Sequence, residues 1–132
     1  MKITVDTNIL VRASTMDDPV QGSLAQDLLR SAETVAVALP ALCEFCWVLR
    51  RAYKFEPAEI ADSLRSLLGG AQVVADVSAV EAGLAMLEHG GDFADGVIAH
   101  DGKWLGADIF MSFDKEAVRL LSAQGHDARI PA

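Results

Sequence analysis

Short strand-like runs rich in β-branched and apolar residues alternate with amphipathic helical stretches along the 132-residue chain, and this alternation constrains the fold most strongly. Consecutive parallel strands need helical crossovers, which are right-handed and lie on the faces of the sheet. We therefore expect an α/β fold: a three-layer sandwich with a central, mostly parallel sheet, in a single domain over residues 1–132. The predicted strands cover residues 2–6, 34–38, 71–75 and 109–113, and residues 128–130 are a candidate edge strand.

Turn and capping residues mark the ends of the predicted helices. Pro19, preceded by two Asp residues, indicates a helix start, and Pro57 opens a helix that Gly69 and Gly70 end. Between these two helices, residues 41–53 show apolar side chains at the i, i+3, i+4, i+7 spacing of one buried face. These side chains are Leu42, Phe45, Cys46 and Leu49.

Hydropathy and cysteine content exclude several classes of protein. No apolar run approaches the roughly 18 to 20 residues that span a bilayer, and the N-terminus lacks a signal-peptide core. The only two cysteines, Cys43 and Cys46, lie in one predicted helix, which excludes a disulfide framework. We expect a cytoplasmic protein that makes no membrane contact.

The formal net charge of −8 argues against a protein whose whole surface attracts nucleic acid, because phosphate binding normally needs a basic patch. Two divalent cations held by four carboxylates would add four positive charges and leave about −4. The remaining acidic surface suits a basic partner.

Two acidic residues directly follow predicted strands. Asp6 comes after the first strand and Asp114 after the fourth. Ligands of open parallel sheets bind at the carboxyl ends of the strands, so we expect these side chains to be neighbours. Each residue alone is equally typical of an Asx turn or a helix N-cap.

Two further acids lie within predicted helices. Glu44 is flanked by Cys43 and Phe45, and a Glu among core-facing residues is rarely buried unless it is paired or bound to metal. A first-turn Glu favoured by the helix dipole is the alternative. Asp92 and Asp95 are spaced i, i+3 and share one side of a first turn. We interpret Asp92 as the cap and Asp95 as the chemical group.

Grouping these acids has a chemical reason. Carboxylates about 5 Å apart repel by roughly 3 kcal/mol at an effective dielectric near 20. Mg²⁺ and Mn²⁺ prefer hard oxygen ligands, and one or two such ions would relieve the repulsion and polarise a phosphodiester. Four clustered acids therefore predict a site for Mg²⁺ or Mn²⁺.

The acidic motifs follow one another along the chain in the order that is typical of the PIN domain, and they most resemble its VapC-like toxin subunits of toxin–antitoxin pairs. The resemblance covers essentially the whole chain. One departure is Ser112, where Thr is common, and it keeps the hydroxyl. The motifs are Val5-Asp6-Thr7-Asn8, Glu44, Asp92-Phe93-Ala94-Asp95 and Ser112-Phe113-Asp114-Lys115.

The resemblance implies an endoribonuclease dependent on one or two Mg²⁺ or Mn²⁺ ions, acting on structured RNA. It also implies a homodimer that a cognate antitoxin silences. Asn8 and Ser112 would be polar supports beside the site, with Asp92 undecided. The implied catalytic and metal-binding residues are Asp6, Glu44, Asp95 and Asp114.

The residues alone leave other functions possible. A haloacid-dehalogenase-type phosphatase would need a second Asp at position 8, which is Asn, and a phospho-receiver domain would need an acidic pair after the first strand. Cys43 and Cys46 form a C-x-x-C, but their apolar neighbours indicate inert thiols rather than a redox or zinc site. A non-catalytic interaction module whose acids attract a basic partner is a further alternative.

Substrate contacts are less constrained by the sequence. Arg12, Lys103 and Lys115 lie near the acidic motifs and are predicted phosphate contacts, although solvated surface explains each equally well. Trp47 and Trp104 are candidates for base stacking, for the core or for a dimer interface.

Overall fold

The computed structural model describes all 132 residues, which form two compact units, Met1–Asp76 and Val77–Ala132. Together the units contain seven helices and five short strands. None of the helices combines the length and apolar character that a membrane-spanning helix requires.

The first unit contains a three-stranded parallel sheet in the order β1-β2-β3. Ile3 of β1 is opposite Val35 of β2, and Val35 is in turn opposite Val73 of β3. Because β2 is central, Val35 is fully buried. The elements are β1 (Lys2–Thr4), α1 (Thr7–Thr15), α2 (Pro19–Ser31), β2 (Thr34–Ala36), α3 (Leu39–Arg51), α4 (Pro57–Leu68) and β3 (Val73–Val74).

Helix α3 supplies much of the core of the first unit. The predicted apolar face is confirmed, since Leu42, Phe45 and Leu49 are 0% exposed and Cys46 is buried. Burial of each Leu or Phe side chain contributes about 1.5–3 kcal/mol. The helix begins at Leu39, earlier than predicted, because a first helical turn tolerates Pro40, whose missing N–H would have no partner there.

The second unit places three helices around a two-stranded parallel pair. Phe110 of β4 is opposite Ala128 of β5. Met86, Leu120 and Leu121 form the centre of a buried cluster against which Phe110 packs. The elements are α5 (Val77–Glu88), α6 (Phe93–Trp104), β4 (Phe110–Met111), α7 (Lys115–Ala123) and β5 (Ala128–Arg129).

Helices α5 and α6 approach each other at two glycines. The ring of Phe93 occupies the space above Gly83, where a Cβ would lie 2.3 Å from the ring. A Cβ on Gly96 would lie 2.3 Å from the carbonyl oxygen of Ala82. Gly96 directly follows Asp95, so this close packing also fixes the backbone that carries Asp95.

The predicted α/β class and the parallel pairing of strands are confirmed. The paired segments are shorter than predicted, and they divide between a three-stranded and a two-stranded sheet. Residues 109–113 show one reason for the shortening. After Met111 the chain leaves the strand, because the Ser112 hydroxyl accepts a hydrogen bond from the Asp114 N–H at 3.0 Å and forms a turn.

Candidate functional site

Asp6 lies between β1 and α1 and is the N-cap of α1. Its Oδ1 accepts a hydrogen bond from the Thr7 N–H at 2.7 Å. The residue is exposed, and the capping hydrogen bond uses only one of its two carboxylate oxygens. Asp6 therefore caps a helix and still presents a free oxygen to a ligand.

Asp6, Asn8 and Glu44 line one pocket of about 260 Å³ in the first unit. Arg12 and Tyr53 line the same pocket. The fold thus brings together two of the four predicted acids, one predicted polar support and one predicted phosphate contact.

Glu44 reaches this pocket from the exposed side of α3. The sequence argument, which placed Glu44 among core-facing neighbours, was wrong about its environment. At 3.6 residues per turn, Cys43 and Phe45 project about 100° to either side of Glu44, and the buried face lies opposite. Glu44 is available to a ligand because it is solvated, not because it is buried.

Arg12 is held in place by a hydrogen-bond network at the pocket. Its Nη1 donates to Asp17 Oδ1 at 2.9 Å, and its Nε donates to Gln21 Oε1 at 2.9 Å. The Tyr53 hydroxyl donates to the other oxygen of Asp17, and Thr15 donates to Oδ1 at 3.0 Å. The guanidinium is therefore oriented by four residues that sequence reasoning did not connect with the site.

Little in the sequence pointed to this network. The two Asp residues before Pro19 indicated a helix start, and Asp18 is indeed the N-cap of α2, accepting from the Gln21 N–H at 3.0 Å. Asp17 is the one that binds Arg12. Tyr53, the only tyrosine, lies 36 positions from Asp17, and no local pattern reveals such a contact.

The network lowers the pKa of Asp17 to about 2, chiefly through the hydrogen bond from Tyr53. A lowered pKa means that the Asp17 carboxylate stabilises the folded state above its ordinary value of 3.8, and that this contribution is lost as the pH falls towards 2. We expect the Asp17 carboxyl carbon to titrate near pH 2 by NMR. In Tyr53→Phe its midpoint should rise towards 3.8, and an unchanged midpoint would contradict the network.

The second unit contains a separate group of acids: Asp92, Asp95 and Asp114. Asp95 is partly buried in the first turn of α6. Burial raises its pKa, and the negative charges of Asp92 and Asp114 raise it further. Within the second unit, no positive charge or hydrogen-bond donor lowers the pKa of Asp95.

Asp92 and Asp114 are both N-cap residues, but only one caps with its side chain. Asp114 Oδ1 accepts the N–H groups of Glu116 and Ala117 at 3.0 and 3.1 Å. Asp92 is the N-cap residue of α6, as predicted, but its side chain forms no capping hydrogen bond. Its carboxylate instead adds to the charge around Asp95.

The predicted lysine contacts lie at exposed positions of the second unit. Lys115 is the first residue of α7, next to Asp114. Lys103 is near the end of α6, about 12 Å of helix rise beyond Asp95, and lines a different pocket with His126. Asp95 and Lys103 are thus separated by more than two turns of α6, and Lys103 faces another pocket.

Cys46 of the C-x-x-C pair has the inert character that its neighbours predicted, whereas Cys43 is only half-buried. Cys46 is buried, and burial raises the pKa of its thiol. The two cysteines form no disulfide with each other. A thiol with a raised pKa is a poor nucleophile, which argues against redox chemistry.

The acidic side chains suit a hard divalent cation that binds only one or two carboxylates. No group of three or more His, Cys, Asp or Glu side chains is arranged to hold a metal ion by itself. Mg²⁺ usually keeps several waters and binds only one or two carboxylates, a smaller demand that the free oxygen of Asp6 and the uncompensated Asp95 each meet. The all-oxygen chemistry favours Mg²⁺ or Mn²⁺ over zinc.

Comparison with known proteins shows the family to which the chain belongs. No curated protein matches the chain. The sequence profile of the PIN domain family matches residues 3–121, which include all four predicted catalytic acids. The chain therefore belongs to the PIN domain family.

Proposed function

We propose that this protein is a metal-dependent endoribonuclease that hydrolyses RNA phosphodiester bonds, acting as the toxin of a type II toxin–antitoxin pair. PIN domains are typically metal-dependent nucleases, and the family match covers nearly the whole chain. The observation that carries the proposal is Asp95: a partly buried carboxylate, crowded by Asp92 and Asp114, for which the second unit provides no counter-charge.

The proposed roles rest on the match to the PIN family and on the surroundings of each acidic side chain within its own unit. Asp6 and Glu44 in the first unit, with Asp95 and Asp114 in the second, supply oxygen ligands for one or two Mg²⁺ or Mn²⁺ ions. When bound, the cation supplies Lewis-acid polarisation of the phosphodiester and neutralises developing negative charge. Asn8 lies beside Asp6 in its pocket, and Ser112 orients Asp114 through the Asp114 N–H.

Phosphate binding is assigned to the basic residues near the acids. The hydrogen bonds from Arg12 to Asp17 and Gln21 fix its guanidinium at the pocket, which lowers the entropy lost when a phosphate binds. Lys115 supplies a flexible positive charge beside Asp114. Lys103 suits a phosphate farther along the RNA.

A circular RNA provides the test of the activity, because only an endonuclease can open a circle. The purified chain should linearise the circle in Mg²⁺ or Mn²⁺ and leave it intact in chelator. Cleavage that persists in chelator would contradict the metal requirement. Intact circles in both cations, over a panel of transfer and ribosomal RNA sequences, would contradict the proposed activity.

Cation binding should also be measurable without RNA. A ligand that binds only the folded state stabilises it by about 2.7 kcal/mol at a concentration 100 times its dissociation constant. We expect Mn²⁺ to raise the melting temperature of the wild type by several degrees, and less in Asp95→Asn. An equal rise in both proteins would remove Asp95 from the metal ligands, and no rise at all would favour a non-catalytic interaction module.

The toxin assignment rests on the acidic charge and the VapC-like motifs. A net charge of −8 on the nuclease suits a basic antitoxin, and we propose that this partner binds over the site of a homodimeric toxin. Expression of the chain alone should stop growth, and co-expression of a small protein encoded by the adjacent reading frame should restore it. Normal growth with an active nuclease would instead indicate an RNA-processing enzyme.

A further inference from the structure

The exposed side of α3 carries a stripe that continues from the acidic pocket. Glu44, Trp47, Val48 and Arg51 are spaced i, i+3, i+4, i+7, so they lie on one side of the helix. Glu44 and Val48 line the pocket with Asp6. Trp47 follows Glu44 by about 4.5 Å of helix rise.

Trp47 and Arg51 form a cation–π pair on this stripe. The Trp47 residue is 61% exposed, and the Arg51 guanidinium carbon lies 5.7 Å from the ring centroid. Arg51 makes no ion pair, whereas the neighbouring Arg50 donates to Glu56 at 3.3 Å and to the Phe55 carbonyl at 3.1 Å. The Arg51 charge is thus free for a ligand and is positioned over an aromatic surface.

The exposure of Trp47 excludes a role in the core of the first unit. An indole that remains mostly in water makes a poor contribution to folding, because its large apolar surface is not removed from solvent. Its neighbours point to a ligand that has an aromatic face and a negative charge, since the ring offers a stacking surface and Arg51 offers a cation.

We propose that Trp47 and Arg51 bind an unpaired nucleobase of the RNA whose backbone enters the Asp6–Glu44 pocket. This inference rests on the proposed nuclease function. Trp47 lies about one helical turn from Glu44 and directly beside Val48, and both of these residues line the pocket. A base next to a phosphate held in the pocket would meet the indole ring on the same side of α3.

Stacking would select RNA by structure rather than by sequence. Every base has a π face, so an aromatic platform tolerates any base but requires that the base be unstacked from a duplex. Arg51 would contact the phosphate or the base edge beside it. The platform therefore directs cleavage to loops and single-stranded segments of structured RNA.

Binding is measured in chelator, where no RNA is cut, with a dye-labelled single-stranded oligoribonucleotide and the matching duplex. Loss of one base–aromatic stack should weaken single-strand binding by about tenfold or more in Trp47→Ala, with little change for the duplex. Trp47→Phe should retain most of the affinity, and Arg51→Gln should lie between. Leu24→Ala, which truncates another exposed apolar side chain of the first unit, is the matched control.

Fluorescence gives an independent readout of the same contact. The chain has two tryptophans, so Trp104→Phe leaves Trp47 as the only indole. The oligonucleotide should quench the emission of this variant in chelator. In metal, Trp47→Ala should raise KM on a loop-containing RNA while kcat stays within about twofold, because only binding is removed.

The outcomes separate this inference from the nuclease proposal. If the RNA quenches Trp47 emission and binds in a Trp47-dependent way, but is not cleaved in metal, the proposed nuclease activity is overturned and the stacking site stands. If Trp47→Ala cleaves RNA with the affinity and KM of the wild type, and RNA does not quench the emission of Trp104→Phe, only the stacking site is overturned. A wild type that binds no single-stranded RNA would also overturn the stacking site. A changed sedimentation coefficient in Trp47→Ala at unchanged RNA affinity would overturn it too and assign Trp47 to an interface between copies of the chain.

Discussion

Asp95→Asn is expected to lose RNA cleavage by about a thousandfold or more, because metal ions stabilise transition-state charge by several kcal/mol and Asn is a weaker ligand. Its metal-free fold should be at least as stable as the wild type, since the substitution removes a crowded, partly buried charge. The measurement pairs a cleavage assay in Mg²⁺ with thermal melts in chelator.

The pH dependence of the stability difference follows from the raised pKa of Asp95. An acid whose folded-state pKa is raised makes the folded state lose stability as the pH rises from its unfolded pKa through its folded pKa. The Asp95→Asn variant has no ionisable group at this position, so its stability does not fall in this way as the pH rises. The difference in free energy of unfolding should therefore favour the variant at pH 7 and vanish below about 3.8, where the carboxyl is protonated in both states.

Asp101→Asn is the matched control, since Asp101 lies on the same helix and contacts His100 at 3.2 Å rather than the acidic group. It should keep full cleavage activity. Retained cleavage in a pure Asp95→Asn preparation would remove Asp95 from the catalytic residues. A large drop in metal-free stability would contradict the charge-crowding argument.

The largest stability effect is expected at Gly96, where α6 meets α5. A Cβ there would lie 2.3 Å from the Ala82 carbonyl oxygen and 3.0 Å from the Cα of Gly83, so backbone must move. Overpacking of this kind costs about 1–3 kcal/mol or more, which exceeds the gain of up to about 1 kcal/mol from replacing a helical Gly. Gly96→Ala should unfold at a lower denaturant concentration, and cleavage should fall as Asp95 shifts.

Gly102→Ala distinguishes packing from helix propensity. Gly102 lies on the same helix, and a Cβ there would meet nothing within 4 Å. This variant should be stabilised by up to about 1 kcal/mol, because only the propensity term remains. Equal denaturation midpoints for Gly96→Ala and the wild type would show that α5 and α6 do not pack as closely as described.

Sequence patterns predicted those parts of the fold that depend on local chemistry. The buried face of α3 followed from the spacing of Leu42, Phe45 and Leu49, and the start of α2 followed from Asp18 and Pro19. Both features are set within one or two helical turns, where periodicity and capping are decisive.

Features that depend on contacts between distant segments were predicted less well. The solvated position of Glu44 was misjudged from its immediate neighbours, although the spacing of the buried face of α3, which was predicted correctly, already puts Glu44 on the opposite side of the helix. The connection from Arg12 through Asp17 to Tyr53 joins α1 to the segment after α3, and no periodic signal encodes it. The expected proximity of Asp6 to Asp114 stays a prediction.

Comparing Asp6→Asn, Asp95→Asn and the double variant tests most directly the central claim that both acidic groups serve one metal-dependent cleavage. Asn is as good an N-cap as Asp, so α1 should remain intact in Asp6→Asn. If the acids act as a unit, each single variant should lose about a thousandfold in kcat/KM in Mg²⁺, and the double variant should lose little more than the worse single one. Losses that multiply to about a millionfold, or a single variant that cleaves like the wild type, would contradict the claim.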